Sequence, residues 1–384
     1  YRKRYSKRLT TILIMREVIQ QQATGAIINN KWKNSIIVVA PRVGKTKLTI
    51  DAMKLDNIDT SQVLIVAPYK TIIESWKKEF SMWNLDFKGK LTTNASLSKC
   101  EVNKYKYVIV DEIQELSPNN IQYLKKFPNV IGLTGTLSIS NRQILLKELK
   151  LNVVYEYTIE QAIEDKIIAD YRIHIYYLEL DNIDKVIDIS PKGSVRPLVS
   201  EKVAYDYYTQ QFEKMKYAAQ LNPMLHVVKQ RFAALRARLL YNLPTKLKVA
   251  RQLLDKHMSF MDNRKVIIFT LSQSMANNVC EYSYHSDNKE IDNLSKFTKG
   301  DILALSVVSM VSMGITIPNL KRALCVQLNS GDEIAVQRIA RILNPEDEQI
   351  GHIEILCVKN TVDNNWLQNC LSTLDESKIT WSDI

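Results

Sequence analysis

The sequence predicts an α/β protein made of two tandem parallel-sheet domains with a helical insertion between them. Short apolar runs alternate with longer segments of helical period, and this alternation occurs twice, on either side of a region of different composition. Continuous apolar runs are typical of parallel strands that helices cover on both faces. The expected boundaries are 1–180 for the first domain, 181–245 for the insertion and 246–384 for the second domain.

The predicted strands are bounded by polar or turn residues. They lie at 35–40, 63–67, 107–110, 129–133 and 173–178, and then at 265–269, 302–306, 323–327 and 353–358. Segments 70–80 and 141–150 have helical period and are expected to form helices between strands.

The insertion differs in composition, because 199–240 is rich in Tyr, Gln, Lys, Arg and Ala and follows the loop-like stretch SPKGSVRP. This composition predicts that the region forms helices. Two interpretations of them stay open. Basic residues interleaved with aromatics could grip a nucleic-acid duplex, or an amphipathic pair of helices could pack on the second domain.

Charge and cysteine usage narrow the class of protein. The net charge of +11 and the pI of about 9.2 favour a polyanionic partner. The five cysteines are scattered without a C-x-x-C pair, which indicates reduced thiols in a cytosolic or nuclear protein and no zinc site.

No apolar run reaches the roughly 18 residues of a membrane span, and the basic start lacks the pattern of a signal peptide. The abundance of Lys, Asn and Ile suggests an AT-rich, viral or phage genome, and hence a host cell or virion.

The stretch 36–50, IIVVAPRVGKTKLTI, is a strand, a turn and the start of a helix. Gly44, Lys45 and Thr46 form the second half of a phosphate-binding loop, although a valine stands where that motif has its first glycine. Backbone N–H groups and the dipole at a helix N-terminus favour phosphate. Lys45 is expected to reach the β- and γ-phosphates of ATP and Thr46 to bind Mg²⁺, with Arg42 as a further nucleotide contact.

The stretch 107–116, YVIVDEIQEL, is an apolar strand that ends in Asp111 and Glu112. Carboxylates at the carboxyl end of a parallel strand lie where such sheets bind ligands. Asp111 is expected to bind Mg²⁺, and Glu112 to act as the general base that activates water. A phosphate loop followed by this acidic pair predicts an ATPase.

Several motifs together resemble superfamily 2 helicases and translocases. APRVGKT, DEIQ, LTGT and QRIARIL are similar, in that order, to motifs I, II, III and VI of that superfamily. The segment 64–80 resembles motif Ia of its Swi/Snf-type and phage-type members. The segments 91–99, 265–270 and 302–324 resemble motifs Ib, IV and V. The resemblance covers most of 35–360, and the number and order of the motifs make it specific.

The resemblance implies two RecA-like lobes that hold ATP in the cleft between them. Arg341 would then be the arginine finger, with Arg338 as the second cation, and Gln337 and Gly314 would complete the site. Some motif positions depart from the family pattern: Ala340 replaces a glycine, Asn344 the last arginine and Thr316 an acid. An upstream glutamine often reads adenine in this family, and Gln20 is the best match here.

The resemblance also implies a surface that tracks a nucleic-acid strand through phosphate and sugar contacts. The matching residues are Pro68, Tyr69, Lys70, Thr92, Thr93, Thr270, Ser306 and Ser309. The Swi/Snf-like motif Ia and the DEIQ variant favour DNA over RNA.

The function expected from the sequence is an ATP-dependent helicase or double-stranded DNA translocase. It would act alone or in a replication, repair, transcription or virion assembly. Two alternatives stay open. One is a catalytically weak scaffold with an ATPase fold, which the departures at Val39, Ala340 and Asn344 favour. The other is the motor part of a restriction or packaging complex.

Overall fold

The computed structural model describes residues 2–190, 194–195, 197–259, 264–288, 292–308, 317, 320–329, 350–372 and 374–384. The strands of these ranges form two sheets, and every ladder between them is parallel. The predicted fold class is confirmed.

The first sheet has six strands in the described ranges, in the order β3-β2-β4-β5-β1-β6. They are β1 Ser35–Val39, β2 Val63–Ala67, β3 Lys90–Thr93, β4 Tyr107–Asp111, β5 Val130–Thr134 and β6 Asn152–Tyr157. All residues of β1, β2 and β5 are buried. Alternate side chains of β1 enter two different core clusters, because helices cover both faces of the sheet.

The helices of this half are α1 Arg2–Asn29, α2 Lys45–Leu55, α3 Lys70–Met82, α4 Pro118–Leu124, α5 Ile139–Leu149 and α6 Ile159–Glu164. The basic start of the chain therefore belongs to a 28-residue helix, which was not predicted. Its buried residues Ile19, Ala23 and Ile27 recur at helical spacing and face the core. None of the helices in the described ranges has the length and apolar character that a membrane span requires.

The second sheet has seven strands in the described ranges, in the order β13-β7-β12-β11-β8-β10-β9. They are β7 Tyr171–Leu178, β8 Lys265–Thr270, β9 Ser283–Tyr284, β10 Ala304–Val308, β11 Leu320–Cys325, β12 Gly351–Val358 and β13 Ile379–Asp383. The helices are α7 Glu201–Leu221, α8 His226–Tyr241, α9 Pro244–Met258, α10 Gln273–Val279, α11 Asn293–Lys299 and α12 Val362–Leu371.

Strand β7 differs from the sequence expectation, which put it in the first domain. It lies between β12 and β13 and pairs with both. The second sheet therefore includes a strand that precedes the helical insertion. The apolar pattern of 173–178 identifies a strand but carries no information about its pairing partner, because partner choice depends on contacts distant in sequence.

The insertion is a helical hairpin of α7 and α8 whose base packs on the second sheet. Ala204, Tyr205, Leu239 and Leu240 are buried in the same cluster as residues of β8 and β12. At the far end, four large apolar side chains are at least 70% exposed: Tyr217, Leu221, Met224 and Val227. The base of the hairpin therefore packs on the second sheet, as one of the two interpretations predicted. The exposed far end leaves open the other interpretation, that the hairpin grips a nucleic-acid duplex.

Buried polar contacts fix this base. The Glu201 carboxylate accepts hydrogen bonds from the backbone N–H groups of Asp181 and Thr245 and from the Thr245 hydroxyl, at 2.8–3.0 Å. The Tyr205 hydroxyl accepts from the N–H of Val362, at 2.9 Å. Next to Thr245, Lys246 forms a 2.5 Å ion pair with Asp363, and both side chains are fully buried.

Replacing Lys246 with Met should destabilise the protein by about 3–5 kcal/mol, because the Asp363 carboxylate would stay buried without its cation. Urea unfolding followed by circular dichroism measures the loss. Lys125→Met is the matched control, since Lys125 pairs with Glu148 at 2.6 Å on the surface, and it should cost far less. Equal losses in the two variants would contradict the prediction.

Candidate active site

The loop between β1 and α2 turns sharply without an early glycine. The N–H of Ala40 donates to the carbonyl of Tyr157, and the N–H of Val43 donates back to the carbonyl of Ala40. Arg42 has a φ of 69° and Gly44 a φ of 104°, so two residues of left-handed conformation curve the loop. Arg42 therefore adopts a conformation that glycine usually supplies.

Two side chains of helix α1 form hydrogen bonds to this loop and to the first turn of α2. The side-chain amide of Gln20 is buried and donates to the carbonyl of Val43 at 2.5 Å. The hydroxyl of Thr24, one turn later, donates to the carbonyl of Leu48 in α2 at 2.9 Å. A β-carbon on Gly44 would come within 2.8 Å of the Gln20 amide nitrogen. The loop thus needs glycine at position 44 for its backbone conformation and for the close approach of Gln20.

Lys45 and Glu112 form the central contact of the site. The Lys45 ammonium lies 2.7 Å from Glu112 Oε1, and the two side chains are 16% and 6% exposed. Glu112 follows β4, whereas Lys45 follows β1, and β5 lies between those two strands. The contact exists because parallel strands bring their carboxyl ends to one edge of the sheet. Gln114 also donates to Glu112, from Nε2 to Oε2 at 3.0 Å.

Asp111 is held by two donors. Oδ2 accepts from the indole N–H of Trp76 at 2.9 Å, and Oδ1 accepts from the backbone N–H of Glu112 at 3.0 Å. Burial raises the pKa of Asp111, and the nearby Glu112 raises it further. Lys45 and the two hydrogen bonds act in the opposite direction, because they stabilise the ionised form.

The donor set fits Mg²⁺. Thr46 lies half-buried in the first turn of α2, directly after Lys45, and offers a hydroxyl oxygen; Asp111 offers a carboxylate. Mg²⁺ prefers oxygen ligands and is usually bound through one or two carboxylates together with substrate phosphates. No cluster of three or more His, Cys, Asp or Glu residues suited to a metal occurs in the described ranges, so this part of the chain offers no all-protein metal cage.

The LTGT sequence follows β5 between the two loops. The Thr134 hydroxyl donates to the carbonyl of Thr136 at 2.5 Å, and the N–H of Thr136 donates back to that hydroxyl. The hydroxyl oxygen of Thr136 is buried and has no hydrogen-bond partner among the residues that the structure describes. This turn therefore adds a buried hydroxyl near the edge where β1 and β4 end.

The predicted nucleic-acid residues of the first domain lie at strand ends. Tyr69 is 50% exposed, Lys70 is exposed and Pro68 is half-buried, all at the start of α3. Thr92 is buried and Thr93 half-buried at the end of β3. Because β2 and β3 are parallel neighbours, these two groups lie along one edge of the sheet.

Thr270 and Ser306, which were predicted as nucleic-acid contacts, are buried and hydrogen-bonded to the backbone. Both are at most 1% exposed. The Thr270 hydroxyl donates to the carbonyl of Val307, and the Ser306 hydroxyl to the carbonyl of Ala276 at 2.7 Å. The Thr270 bond joins two strands of the second sheet, and the Ser306 bond joins the sheet to α10.

The remaining predicted residues are Ser309, Gly314, Gln337, Arg338 and Arg341. They lie outside the described residues.

Sequence reasoning missed two partners of the acidic pair. Trp76 lies on the buried face of α3 with Ile73 and Phe80, but its bond to Asp111 has no signal in the sequence pattern. Gln114 is part of the DEIQ sequence, and its spacing of two residues from Glu112 gave no indication of a side-chain contact.

Residues 13–133 match the family described as Type III restriction enzyme, res subunit. This range covers less than half of the chain but includes Lys45, Asp111 and Glu112. Comparison with curated proteins gives no match.

Three solved structures share the fold. Dbp5 of S. cerevisiae, bound to RNA and ADP BeF3, has 14% identity and a TM-score of 0.55, and the alignment covers 98% of this chain and 93% of that one. A putative HsdR subunit of a type I restriction enzyme from Vibrio vulnificus has 12% identity and a TM-score of 0.57, covering 95% and 68%. The Type ISP restriction-modification enzyme LlaBIII, bound to DNA, has 12% identity and a TM-score of 0.54, covering 95% and 31%.

The chain has the fold of a superfamily 2 helicase. The resemblance inferred from the motifs is thereby confirmed. In this fold, the described site lies at the carboxyl edge of the first sheet and combines the loop before α2 with the acidic pair.

Replacing Gly44 with Ala should lower the free energy of unfolding by about 1–2 kcal/mol, because alanine disfavours a φ of 104° and would displace Gln20 from Val43. Gly25→Ala is the matched control, since a β-carbon there meets nothing within 4 Å inside α1. That change should stabilise the protein slightly. Denaturant unfolding of both variants measures the difference, and a Gly44→Ala protein as stable as the unaltered chain would disprove the strain.

Proposed function

We propose that the chain is an ATP- and Mg²⁺-dependent motor that acts on nucleic acid, as a helicase or a double-stranded DNA translocase. The observation that carries this proposal is the 2.7 Å contact between Lys45 and Glu112, beside the buried carboxylate of Asp111. A cation, a base and a metal-binding acid at one edge of a sheet form the set of groups that phosphoryl transfer to water requires.

Each residue has a defined part in the proposed reaction. Backbone N–H groups at the start of α2 and the Lys45 ammonium bind the phosphates, while Thr46 and Asp111 hold the metal, which would neutralise phosphate charge when bound. A phosphate oxygen competes with Glu112 for Lys45. Once released from Lys45, the Glu112 carboxylate can accept a proton from the attacking water.

The second lobe supplies cations in this proposal. Arg341 stabilises the charge on the transferred phosphoryl group, Arg338 assists it, and Gln337 and Gly314 line the nucleotide. Hydrolysis would then change the contact between the lobes, which couples the chemistry to movement along nucleic acid. Arg42 would add a nucleotide contact from the first lobe.

DNA is the preferred partner in this proposal. Support comes from the resemblance of 64–80 to the Swi/Snf-type motif Ia and from the net charge of +11. Pro68, Tyr69, Lys70, Thr92, Thr93 and Ser309 would contact the phosphate and sugar backbone, which gives binding without sequence preference. Similar folds bind either polymer, since the Dbp5 structure contains RNA and the LlaBIII structure contains DNA.

The test is the ATPase rate with single-stranded, duplex and forked DNA and with RNA, over a series of salt concentrations. A motor should be stimulated by nucleic acid, and the stimulation should weaken as salt rises, because phosphate contacts release counterions. Strand-displacement and triplex-displacement assays then distinguish unwinding from duplex translocation. A chain that binds nucleic acid without hydrolysing ATP would be a scaffold instead.

Replacing Glu112 with Gln should abolish turnover and leave ATP binding intact or tighter. The amide cannot act as a base, and it no longer competes with phosphate for Lys45 as a full negative charge does. Binding of a fluorescent ATP analogue and steady-state phosphate release measure the two effects.

Lys45→Ala is the control, because it should lose binding as well as turnover. Normal ATP hydrolysis by the Glu112→Gln protein would contradict the role of Glu112 as the base.

A further inference from the structure

Trp76 makes a contact that core packing does not require. It is fully buried in the middle of α3, and Ile73 and Phe80 lie on the same buried face. Its indole N–H points out of the apolar cluster and donates to Oδ2 of Asp111 at 2.9 Å. A buried indole N–H needs an acceptor, but here the acceptor is the carboxylate proposed to hold Mg²⁺.

This bond fixes the orientation of Asp111 and leaves it able to bind a metal. Each carboxylate oxygen can accept about two hydrogen bonds. Trp76 occupies one position on Oδ2, and the backbone N–H of Glu112 occupies one on Oδ1. Because each oxygen of the carboxylate binds one donor, the carboxylate cannot rotate freely. Its remaining lone pairs therefore have a fixed direction. Groups that orient a metal ligand in this way commonly change metal affinity by about tenfold or more.

The same helix begins at the surface that we propose for nucleic acid. Tyr69 precedes the first residue of α3, and Lys70 is that residue; both are exposed. Trp76 lies seven residues after Tyr69, which corresponds to about 10 Å along a helix. Helix α3 is anchored at its other end, where Phe80 stacks on Phe87 with ring centroids 4.4 Å apart. A rigid helix therefore connects an exposed end with the Asp111 carboxylate.

We infer that Trp76 is a positioning residue for Asp111, and that nucleic acid bound at the start of α3 acts on the metal site through this helix. The inference rests on the proposed function, since it needs both a metal–nucleotide site and a nucleic-acid site. Displacement of α3 by a bound strand changes the direction or length of the indole–carboxylate bond. Coupling of this kind is reciprocal, so metal–nucleotide must change nucleic-acid affinity by the same factor.

The chain offers a matched pair of substitutions on one helix. Trp76→Phe keeps an aromatic ring in the core and removes the indole N–H. Trp83→Phe removes the same group at the end of α3, where the Trp83 indole donates to Glu79 Oε2 at 2.6 Å and not to Asp111. Both variants lose one indole–carboxylate bond, but only the first changes the proposed metal ligand.

The measurement is Mn²⁺ binding by electron paramagnetic resonance, with a non-hydrolysable ATP analogue present. Mn²⁺ should bind about tenfold more weakly to the Trp76→Phe protein and unchanged to the Trp83→Phe protein. A role of Trp76 in packing alone would lower stability in denaturant without changing the Mn²⁺ affinity of the folded protein. Equal Mn²⁺ affinities in both variants and the unaltered chain would overturn the inference.

The coupling to nucleic acid has its own readout. Fluorescence anisotropy measures the affinity for DNA with and without the ATP analogue and Mn²⁺. In the unaltered chain, the two affinities should differ by a measurable factor. In the Trp76→Phe protein, this factor should fall towards one. The Trp83→Phe protein should keep the full factor. A factor that Trp76→Phe leaves unchanged would overturn the transmission through α3.

An experiment on the unaltered chain covers the case in which Trp76→Phe does not fold. The five tryptophans give five indole N–H signals in a ¹⁵N-labelled sample. These can be assigned by replacing the other four tryptophans one at a time. DNA should shift the Trp76 signal, and absence of a shift at saturating DNA would overturn the inference. If the unaltered chain binds no metal–nucleotide at all, the proposed function fails instead.

Discussion

The ion pair between Lys45 and Glu112 is the contact on which the rest of the site depends. Its partners are 67 positions apart in the chain and 2.7 Å apart in space. That contact requires β1, β5 and β4 to lie side by side in parallel, with both loops turning at the same edge. The Lys45 cation also offsets the negative charge of the site, because the adjacent buried carboxylates of Asp111 and Glu112 would repel each other without it. The order of the sheet and the composition of the site therefore depend on each other.

Two helices hold the ends of this arrangement through polar side chains on largely apolar faces. Gln20 and Thr24 of α1 bind the carbonyls of Val43 and Leu48, and Trp76 of α3 binds the carboxylate of Asp111. Apolar side chains of both helices belong to the same core cluster. A buried hydrogen bond from a well-packed helix has little freedom to adapt, so movement of either helix must change the geometry at the sheet edge. This gives a purely structural route by which surface contacts can reach the chemistry.

The features that the sequence indicated and those that it left open differ in kind. The strand–turn–helix at 36–50 and the acids after β4 could be located because the residues of each motif are contiguous in sequence. The backbone bonds of Thr270 and Ser306 could not be predicted, because a hydroxyl at a strand end can serve a ligand or the backbone, and only the neighbouring strand and helix decide which. Arg42 has a positive φ that no motif indicates, since the turn is imposed by Val43, Ala40 and Tyr157 together.

The sequence by itself determined the fold class, the phosphate loop and the acidic pair, because apolar periodicity and short chemical motifs are local properties. Only the tertiary structure decided that β7 joins the second sheet, that Lys45 binds Glu112 and that Trp76 binds Asp111. Each of these contacts joins residues at least 35 positions apart, and a one-dimensional pattern carries no record of which distant groups meet. Folding selects them through burial, since a buried donor or charge must find its partner within the same core.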